Sequence, residues 1–265
     1  MRLNILASGS SGNAIVVTSS RGESLLIDQG LSFRELQARA KAARCPLDTL
    51  SALLVTHEHA DHISGIAPLL RKTSLRCFLT EGTATAVEAV VRNRARIAPA
   101  GFLWDIFEAG QSFQAAGMDV ESFATSHDAA DPVAFAVSDG DARIAFATDT
   151  GVATQAFLRH LRDCDALVLE ANHDPGLLRD SKRPWSLKQR IAGRQGHLSN
   201  EQCADVLEHV AGPRLKAVYL AHVSCECNSY ELALQTVRGR LHRIGRDDVI
   251  VRTAFRDKPS DPLSL

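Results

Sequence analysis

The chain has 265 residues, of which 45% are hydrophobic and 23% are charged, and its formal net charge at pH 7 is -1. These values are typical of a soluble globular protein and argue against a globally basic one, although a local basic surface stays possible. A chain of this length can bury one large core, so we predict a single domain spanning residues 1–265.

Targeting signals and cysteine spacing indicate the compartment. The N-terminus lacks the pattern of a secretory signal peptide, and apolar runs stay shorter than the roughly 18 residues that cross a bilayer. The six cysteines have no framework spacing, which predicts reduced and mostly buried thiols. We therefore expect a cytoplasmic protein without a membrane partner.

Short β-branched runs recur along the chain and predict about a dozen strands. In chain order they are "LNILAS", "NAIVVTS", "SLLIDQG", "ALLVTH", "CFLT", "GFLWDIF", "DVESFAT", "PVAFAVS", "RIAFATD", "ALVLEAN", "AVYLAH" and "VIVRTAF". Helical periodicity begins near Ser32, Gly82, Ser199 and Ser229, and serine is a favoured capping residue. The pattern predicts two mixed sheets covered by helices.

The segment "LLVTHEHADHISGI", residues 53–66, follows an apolar strand with several metal-ligand side chains. His57 and His59 are two positions apart on an extended segment, so both imidazoles point the same way. Asp61 and His62 follow on the loop that enters a helix predicted near Ile63. One tetrahedral site cannot easily use all four side chains, so two adjacent metal ions are the natural interpretation. The alternative is that Asp61 caps the helix and the histidines are incidental.

Three further ligand-type side chains directly follow apolar strands. They are His127 in "FATSHDAADP", Asp149 in "AFATDTG" and His222 in "VYLAHVS". Strand ends that point into a shared crevice are where open sheets gather site residues. Packing alone does not explain this repeated placement, which predicts that the three side chains join the first cluster.

This ordered set of motifs, with Asp28 in "LLIDQG", resembles the metallo-β-lactamase superfamily. The resemblance implies an α/β fold of four layers, the αββα sandwich. It implies that one ion is held by His57, His59 and His127, the other by Asp61, His62 and His222, with Asp149 bridging. It also implies that Asp28 orients a ligand, with a turn acid that follows a strand as the alternative role.

The ligand types indicate the metals and the reaction. Imidazole and carboxylate donors suit Zn²⁺ first and Mn²⁺ second. Two such ions roughly 3.5–4 Å apart activate a water held between them and stabilise the attacking and leaving oxygens. Hydrolysis is the expected reaction type, and the carboxylate of Asp61 completes an oxygen-rich site that favours a phosphodiester substrate.

The segment "GRQGHLSNEQ" contains a second catalytic candidate, His197. It resembles the GHST-type segment of ribonuclease Z, whose histidine serves as a proton donor or phosphate contact. Glu170, at the end of "ALVLEAN", could orient His197, and an imidazole with a raised pKa could protonate the leaving alkoxide. The predicted catalytic residues are therefore His197, Asp61 and Glu170, with packing before a helix as the alternative role of His197.

A basic segment, "LLRDSKRPWSLKQRIAGR", precedes this histidine and has an aromatic residue in its middle. Basic side chains interleaved with an aromatic one could follow a phosphate backbone and stack a base, although most basic runs are solvated surface. His173, at another strand end, is either substrate-facing or structural. The predicted substrate-binding residues are His173, Arg179, Lys182, Arg183, Trp185, Lys188, Arg190 and Arg194.

Within the superfamily, "LASGSSGNA", "SHDAADPVAF", "TDTG", "EANHD" and "GHLSN" resemble the YycJ branch, also called WalJ, over nearly the whole chain. That resemblance implies cytoplasmic nuclease activity on DNA. The sequence departs from the pattern after His222, where Cys225 and Cys227 stand; they are either core substitutes or thiols near the metals. The stretch between Asp149 and His222 has no room for the inserted domain of β-CASP nucleases, which predicts an open active site.

We therefore predict a binuclear metal-dependent hydrolase that cleaves phosphodiester bonds in DNA or RNA through a hydroxide held between the two ions. The alternatives are a small cyclic or nucleotide phosphodiesterase, a thioesterase, and a regulatory metal-binding module without catalysis. An open site needs loops, the basic segment or a second subunit to grip a nucleic acid, so a homodimer is possible.

Overall fold

The computed structural model describes residues 1–95 and 104–265. The strands, β1 to β14 in chain order, are Arg2–Ala7, Ala14–Thr18, Ser24–Ile27, Leu50–Leu54, Arg76–Thr80, Trp104–Phe107, Ser112–Ala115, Met118–Ala124, Val133–Ser138, Arg143–Ala147, Ala166–Glu170, Ala217–Ala221, Ile250–Thr253 and Leu263–Ser264. The helices, α1 to α9, are Phe33–Ala42, Ala60–Ile63, Ile66–Leu70, Glu81–Ala95, Gln155–Leu161, Pro175–Asp180, Trp185–Ile191, Asn200–Val210 and Tyr230–Arg243.

The strands form two seven-stranded sheets. The first sheet has the order β14-β1-β2-β3-β4-β5-β6, and the second has the order β13-β12-β11-β10-β9-β8-β7. In each sheet one half is antiparallel and the other half is parallel, with the change at β3 in the first sheet and at β10 in the second. The prediction of two mixed sheets is confirmed.

Three apolar layers hold the sheets and helices together. Alternate residues of the strands form the layer between the sheets, to which Ile27 of the first sheet and Phe135 of the second both belong. Leu53 faces the helices of the first sheet, and Leu167 faces those of the second. Strands covered on both faces are apolar throughout, which is why β4, β11 and β12 lack polar alternation. The resulting order of helix, sheet, sheet and helix is the predicted αββα sandwich.

The predicted strands all appear, and the pattern missed β7 and β14, which are short. The part of "GFLWDIF" that precedes Trp104 lies outside the described residues. Serines begin three of the predicted helices: the hydroxyls of Ser32, Ser199 and Ser229 each accept a hydrogen bond from the first turn of α1, α8 or α9.

One boundary was predicted wrongly. The helix expected near Ile63 begins at Ala60, so Asp61 and His62 lie in α2 and not on a loop before it. His59 is the extended residue that precedes α2, and its carbonyl accepts the backbone N–H of His62 at 2.8 Å. The helical turn therefore begins directly after His59.

Two further expectations concerned the state of the cysteines and the presence of membrane-spanning helices. All six cysteines are free, and Cys225 is exposed whereas the other five are buried. Within the described part of the chain, no helix combines the length and the apolar character needed to cross a membrane.

Candidate metal centre

The residues after β4 carry the first group of ligand-type side chains. The backbone N–H of Val55 still bonds the carbonyl of Phe78, and the chain then leaves the sheet and turns into α2. His57 and His62 are almost fully buried, whereas Asp61 is partly exposed. The strand end and the single helical turn together direct these side chains to one edge of the sandwich.

Three further residues at this edge share an unusual backbone conformation. Asp28, Asp149 and His222 have positive φ angles of 57°, 59° and 54°. Each lies at or just after the end of a strand, β3, β10 and β12 respectively. Left-handed backbone costs about 1 kcal/mol or more for a residue other than glycine and is concentrated at functional sites.

The ligand-type side chains form overlapping groups in which one donor atom from each residue lies within 4.8 Å of the others. These groups are His57, His59 and His127; Asp61, His62 and His222; His57, His62 and Asp149; and Asp149, Glu170, His197 and His222. The strand-end residues and the HxHxDH segment are therefore brought together, as the sequence predicted.

Asp149 lies between the group of His57, His59 and His127 and the group of Asp61, His62 and His222. Its Oδ1 is 4.0 Å from His127 Nε2 and 3.6 Å from His222 Nε2, and its Oδ2 is 3.4 Å from His62 Nε2. The two carboxylate oxygens thus face different imidazoles. This arrangement fits a carboxylate that is shared between two cation sites.

Within residues 1–95 and 104–265, two buried polar atoms at the centre have no hydrogen-bond partner: His57 Nε2 and Asp149 Oδ2. Leaving a buried polar atom unpaired costs about 1–3 kcal/mol, so such atoms need a partner. Several imidazoles and carboxylates with their donor atoms turned towards one another supply the ligand set that divalent cations prefer. The residues present therefore fit bound metal ions.

Asp28 and Thr56 hold His57 and His62 in place through hydrogen bonds to their Nδ1 atoms. Asp28 Oδ2 accepts a hydrogen bond at 2.8 Å from His62 Nδ1, and its Oδ1 accepts the backbone N–H of Thr56 at 2.8 Å. The Thr56 hydroxyl reaches both Asp28 Oδ2, at 2.9 Å, and His57 Nδ1, at 3.0 Å. Because the Nδ1 atoms of His57 and His62 are engaged, their Nε2 atoms face the centre.

The acids and imidazoles strongly influence one another's protonation. Burial disfavours a charged His62, but the carboxylates of Asp28 and Asp149 raise the pKa of His62 to about 9. Burial alone would raise the pKa of Asp61, but the hydrogen bond from His222 and the nearby His62 lower it below its usual range. Bound cations would take the place of the protons that balance these carboxylates.

His197 and Glu170 form a pair beside the centre. Glu170 is fully buried, and its Oε1 lies 2.7 Å from His197 Nδ1, while its Oε2 accepts the backbone N–H groups of Leu198 and Thr150 at 3.1 and 3.2 Å. Burial opposes a charged His197, but the Glu170 carboxylate raises its pKa above the usual value. His197 and His222 line one cavity of about 140 Å³.

Besides Thr56, sequence reasoning missed Asn13 and Asn172, two polar residues that contact the centre. The Asn13 amide nitrogen lies 3.0 Å from His62 Nε2 and 3.4 Å from Asp61 Oδ2, and the Asn172 amide nitrogen lies 3.2 Å from His222 Nδ1. Both residues occur in segments that carried the family resemblance, "LASGSSGNA" and "EANHD". That resemblance was the only signal in the sequence that pointed to them.

The basic segment folds into α6 and α7 at the rim of the cavity. Arg183 and Arg190 line the cavity, but Arg183 pairs with Glu226 at 3.1 Å and Arg190 pairs with Asp128 at 2.5 Å. Arg179 pairs with Asp180, outside this lining. The cationic face is therefore weaker than the sequence suggested, because acids from other segments pair with two of its arginines.

The other predicted substrate-binding residues lie around these helices. Trp185 is 68% exposed at the start of α7, and the Lys188 ammonium donates to the carbonyls of Arg179 and Ser181. His173 is buried, and its Nδ1 has no hydrogen-bond partner in the described part of the chain. Lys182 and Arg194 are exposed, and Arg194 lines a separate cavity with Ser126 and Asp128.

Residues 23–222 match the family model described as "Beta-lactamase superfamily domain". The chain belongs to the metallo-β-lactamase superfamily. Within this superfamily it is 36% identical to "Exodeoxyribonuclease YycJ" of Bacillus anthracis over 262 residues, which are 99% of this chain and 96% of that relative. It is also 36% identical to "Exodeoxyribonuclease WalJ" of Streptococcus pneumoniae, over 98% of this chain and 94% of the relative. The resemblance to the YycJ branch is confirmed.

Solved structures support the same superfamily fold. Zn²⁺-bound PqqB from Methylobacterium extorquens superposes with a TM-score of 0.73 over 100% of both chains, at 17% sequence identity. The metallo-β-lactamase fold protein YhfI from Bacillus subtilis superposes with a TM-score of 0.69 over 98% of both chains, at 15% sequence identity. At such identities the similarity establishes the fold alone. The fold predicted from the sequence is confirmed.

Proposed function

We propose that this protein is a metal-dependent exonuclease that acts on DNA. The observation that carries the proposal is the convergence of seven imidazole and carboxylate side chains on one edge of the sandwich, beside a cavity lined by His197, Arg183 and Arg190. Two relatives that match nearly the whole chain are named exodeoxyribonucleases, which supports DNA as the substrate.

We assign two divalent ions to this edge, with Zn²⁺ as the first choice and Mn²⁺ as the second. His57, His59 and His127 would hold one ion, Asp61, His62 and His222 the other, and Asp149 both. Asp28 would orient His62 through their 2.8 Å contact. A pair of ions bound here would supply Lewis-acid activation of water and of the phosphoryl group.

His197 is the proton donor of the proposed mechanism. Its Nδ1 faces Glu170, so its Nε2 is the atom that can reach a substrate oxygen in the cavity. A positioned acid that protonates the leaving alkoxide contributes typically 10²–10⁴-fold to the rate. Glu170 is a positioning residue, because it contacts the acid and stabilises its charged form.

We assign substrate binding to the exposed residues around α7. The indole of Trp185 can stack on a base, and Lys182 and Arg194 can contact phosphates. Arg179, Arg183, Lys188 and Arg190 would contribute less, because each already has a protein partner. His173 is the weakest candidate, since its imidazole is buried.

Three competing functions have less support. A small-diester phosphodiesterase, a thioesterase or a regulatory module would not account for the two named exodeoxyribonucleases. We propose a cytoplasmic location and one domain over residues 1–265, as the sequence predicted. A homodimer likewise stays a prediction.

The test is degradation of end-labelled single- and double-stranded DNA and RNA by the purified protein with Zn²⁺ or Mn²⁺. Matched Asp149→Ala and His197→Ala variants separate metal binding from proton donation. The proposal requires metal-dependent loss of DNA from an end, with activity reduced in both variants. Intact DNA in the presence of fully metal-loaded protein would contradict it, and faster turnover of a small diester or thioester would identify the substrate class instead.

A further inference from the structure

Arg256 differs from the arginines at the rim of the candidate metal centre. Its guanidinium Nη1 lies 3.2 Å from the Cys225 thiol sulfur, and in residues 1–95 and 104–265 it has no carboxylate partner at ion-pair distance. Arg183 and Arg190, by contrast, each share their charge with an acid. Arg256 is therefore a cation with most of its N–H donors available to a ligand.

The backbone of Arg256 is held firmly in place. Its N–H donates to the Tyr230 hydroxyl oxygen at 3.2 Å, and its carbonyl accepts a hydrogen bond from Arg39 Nη1 at 2.8 Å. The side chain is thus presented from a fixed segment. A cation that is held in position loses less conformational entropy when it binds an anion.

Arg256 lines a cavity of about 270 Å³ with Ser224, Cys225, Ser229 and Tyr230. Val223 and Ser224 also line the cavity that contains His197 and His222, so the two cavities share a wall directly after His222. A nucleic-acid strand whose scissile phosphate lies at the candidate metal centre would pass this second cavity.

The start of α9 adds to the positive potential there. Ser229, which lines the cavity, caps this 14-residue helix, whose N-terminal end carries a partial positive charge. Glu231 in the first turn offsets part of this charge. Asp257 also lines the cavity, and its exposed carboxylate would repel a phosphate.

We propose that Arg256 and the Tyr230 hydroxyl form a phosphate subsite for the nucleic-acid strand, distinct from the position of the scissile phosphate. This inference rests on the proposed nuclease function and adds a specificity residue to it. The subsite binds through charge-assisted hydrogen bonds from the guanidinium, and Asp257 weakens it. Cys225 shapes the wall beside Arg256 and takes no part in the chemistry.

The experiment compares Arg256→Ala, Arg256→Lys and Asp257→Asn with wild type on end-labelled oligodeoxynucleotides. Arg76→Ala is the matched control, because it removes an exposed arginine at the start of β5 that pairs with Asp105. Loss of a charge-assisted contact predicts that Arg256→Ala raises KM roughly ten-fold with little change in kcat. Arg256→Lys should recover part of the affinity, and Asp257→Asn should lower KM.

A second measurement uses the metal-free protein, so that DNA affinity is measured in the absence of the ions that the proposed cleavage requires. Each lost phosphate contact reduces the slope of log Kd against log salt by about 0.7–0.9. Arg256→Ala should show this reduction, whereas Arg76→Ala should not. If Arg256→Ala and Arg76→Ala have the same KM and the same salt slope, the subsite is ruled out even when wild type cleaves DNA. If wild type fails to cleave DNA, the proposed function is contradicted. The slope of log Kd against log salt for Arg256→Ala, compared with wild type, still decides whether Arg256 contacts phosphate.

Discussion

Glu170 Oε1 lies 2.7 Å from His197 Nδ1, and this contact determines which nitrogen of the imidazole faces the cavity. Burial alone would raise the pKa of Glu170, but His197 and His222 lower it, so Glu170 is a carboxylate that only accepts hydrogen bonds. His197 Nδ1 therefore carries the proton of this hydrogen bond. The other nitrogen, Nε2, is on the far side of the ring and is available to a leaving oxygen.

The first prediction concerns this proton donor. His197→Ala should lower kcat on DNA by about 10²–10⁴-fold, because the alkoxide then leaves without a proton. The same variant should retain most of its activity on bis-p-nitrophenyl phosphate, whose leaving group needs no proton. Parallel steady-state kinetics on both substrates check this. An equal loss on both would show that His197 acts in metal or substrate binding instead.

Glu170→Gln should reproduce this pattern in a weaker form. The amide keeps the shape of the side chain but removes the charge that stabilises a protonated His197, and the loss of such a supporting partner typically costs 10–100-fold. We expect a fall of that size in kcat on DNA with an unchanged metal content, measured by elemental analysis of the purified variant. Loss of metal would instead show that Glu170 supports the centre itself through His222, whose Nδ1 is 3.5 Å away.

Another prediction concerns the support of the ligands by Asp28. Asparagine tolerates the left-handed backbone that Asp28 adopts, so Asp28→Asn changes the charge with little change in strain. His62 then loses its carboxylate partner, and metal affinity should fall by about 10–100-fold. Competition with a chromophoric chelator measures the affinity. An affinity equal to that of wild type would mean that Asp28 is only a turn residue.

Metal removal should destabilise the fold. Bound cations would satisfy the buried His57 Nε2 and Asp149 Oδ2 atoms, and a ligand at 100-fold its Kd stabilises a protein by about 2.7 kcal/mol. Chelation should therefore lower Tm by about 5–10 °C, reversibly on adding Zn²⁺. Asp149→Ala serves as the control, and its Tm should respond little to the chelator. A wild-type Tm that is insensitive to chelation would contradict the predicted centre.

Particular residues show how far the sequence alone could predict this site. The HxHxDH segment and the strand-end positions of His127, Asp149 and His222 were sufficient to predict that these side chains lie close together, because β-strand periodicity directs them to one edge. The contacts of Asn13 with Asp61, and of Arg256 with Cys225, join segments far apart in sequence. Such contacts depend on how the loops pack, which no local pattern encodes. The same limit applies to the basic segment: Asp128 and Glu226, which pair with Arg190 and Arg183, come from other loops.

Trp185 provides a test of substrate stacking. Its indole is 68% exposed, so Trp185→Ala should leave Tm within about 1 °C of wild type. Loss of a base-stacking contact costs about 1–3 kcal/mol, so binding of single-stranded DNA to the metal-free protein should weaken by about 5–150-fold. Fluorescence anisotropy measures the affinity, and Ile250→Ala is a control at another exposed apolar side chain, 47% exposed in β13. Equal affinities of these two variants for DNA would show that Trp185 does not stack.

The last prediction concerns stability at low pH, away from the candidate metal centre. Asp165 is buried between β10 and β11, where its Oδ2 accepts hydrogen bonds from Arg214 at 2.8 Å and from the Arg143 backbone N–H at 2.9 Å. Lys216 lies 3.1 Å from Oδ1. Burial alone would raise the pKa of Asp165, but these partners, Arg214 first, lower it below its usual value.

A carboxyl whose folded-state pKa is depressed stabilises the fold above its unfolded pKa, about 3.9. This stabilisation is lost as the pH falls through the lower folded-state pKa, because both states then bind the proton. Asp165→Asn should therefore lower the free energy of unfolding by about 1–2 kcal/mol at pH 7, and the deficit relative to wild type should shrink below about pH 4. Urea titrations between pH 7 and pH 3, with the metal content held constant by chelation, measure this difference. A deficit that stays constant over that range would show that Asp165 stabilises the fold through hydrogen-bond geometry and not through its charge.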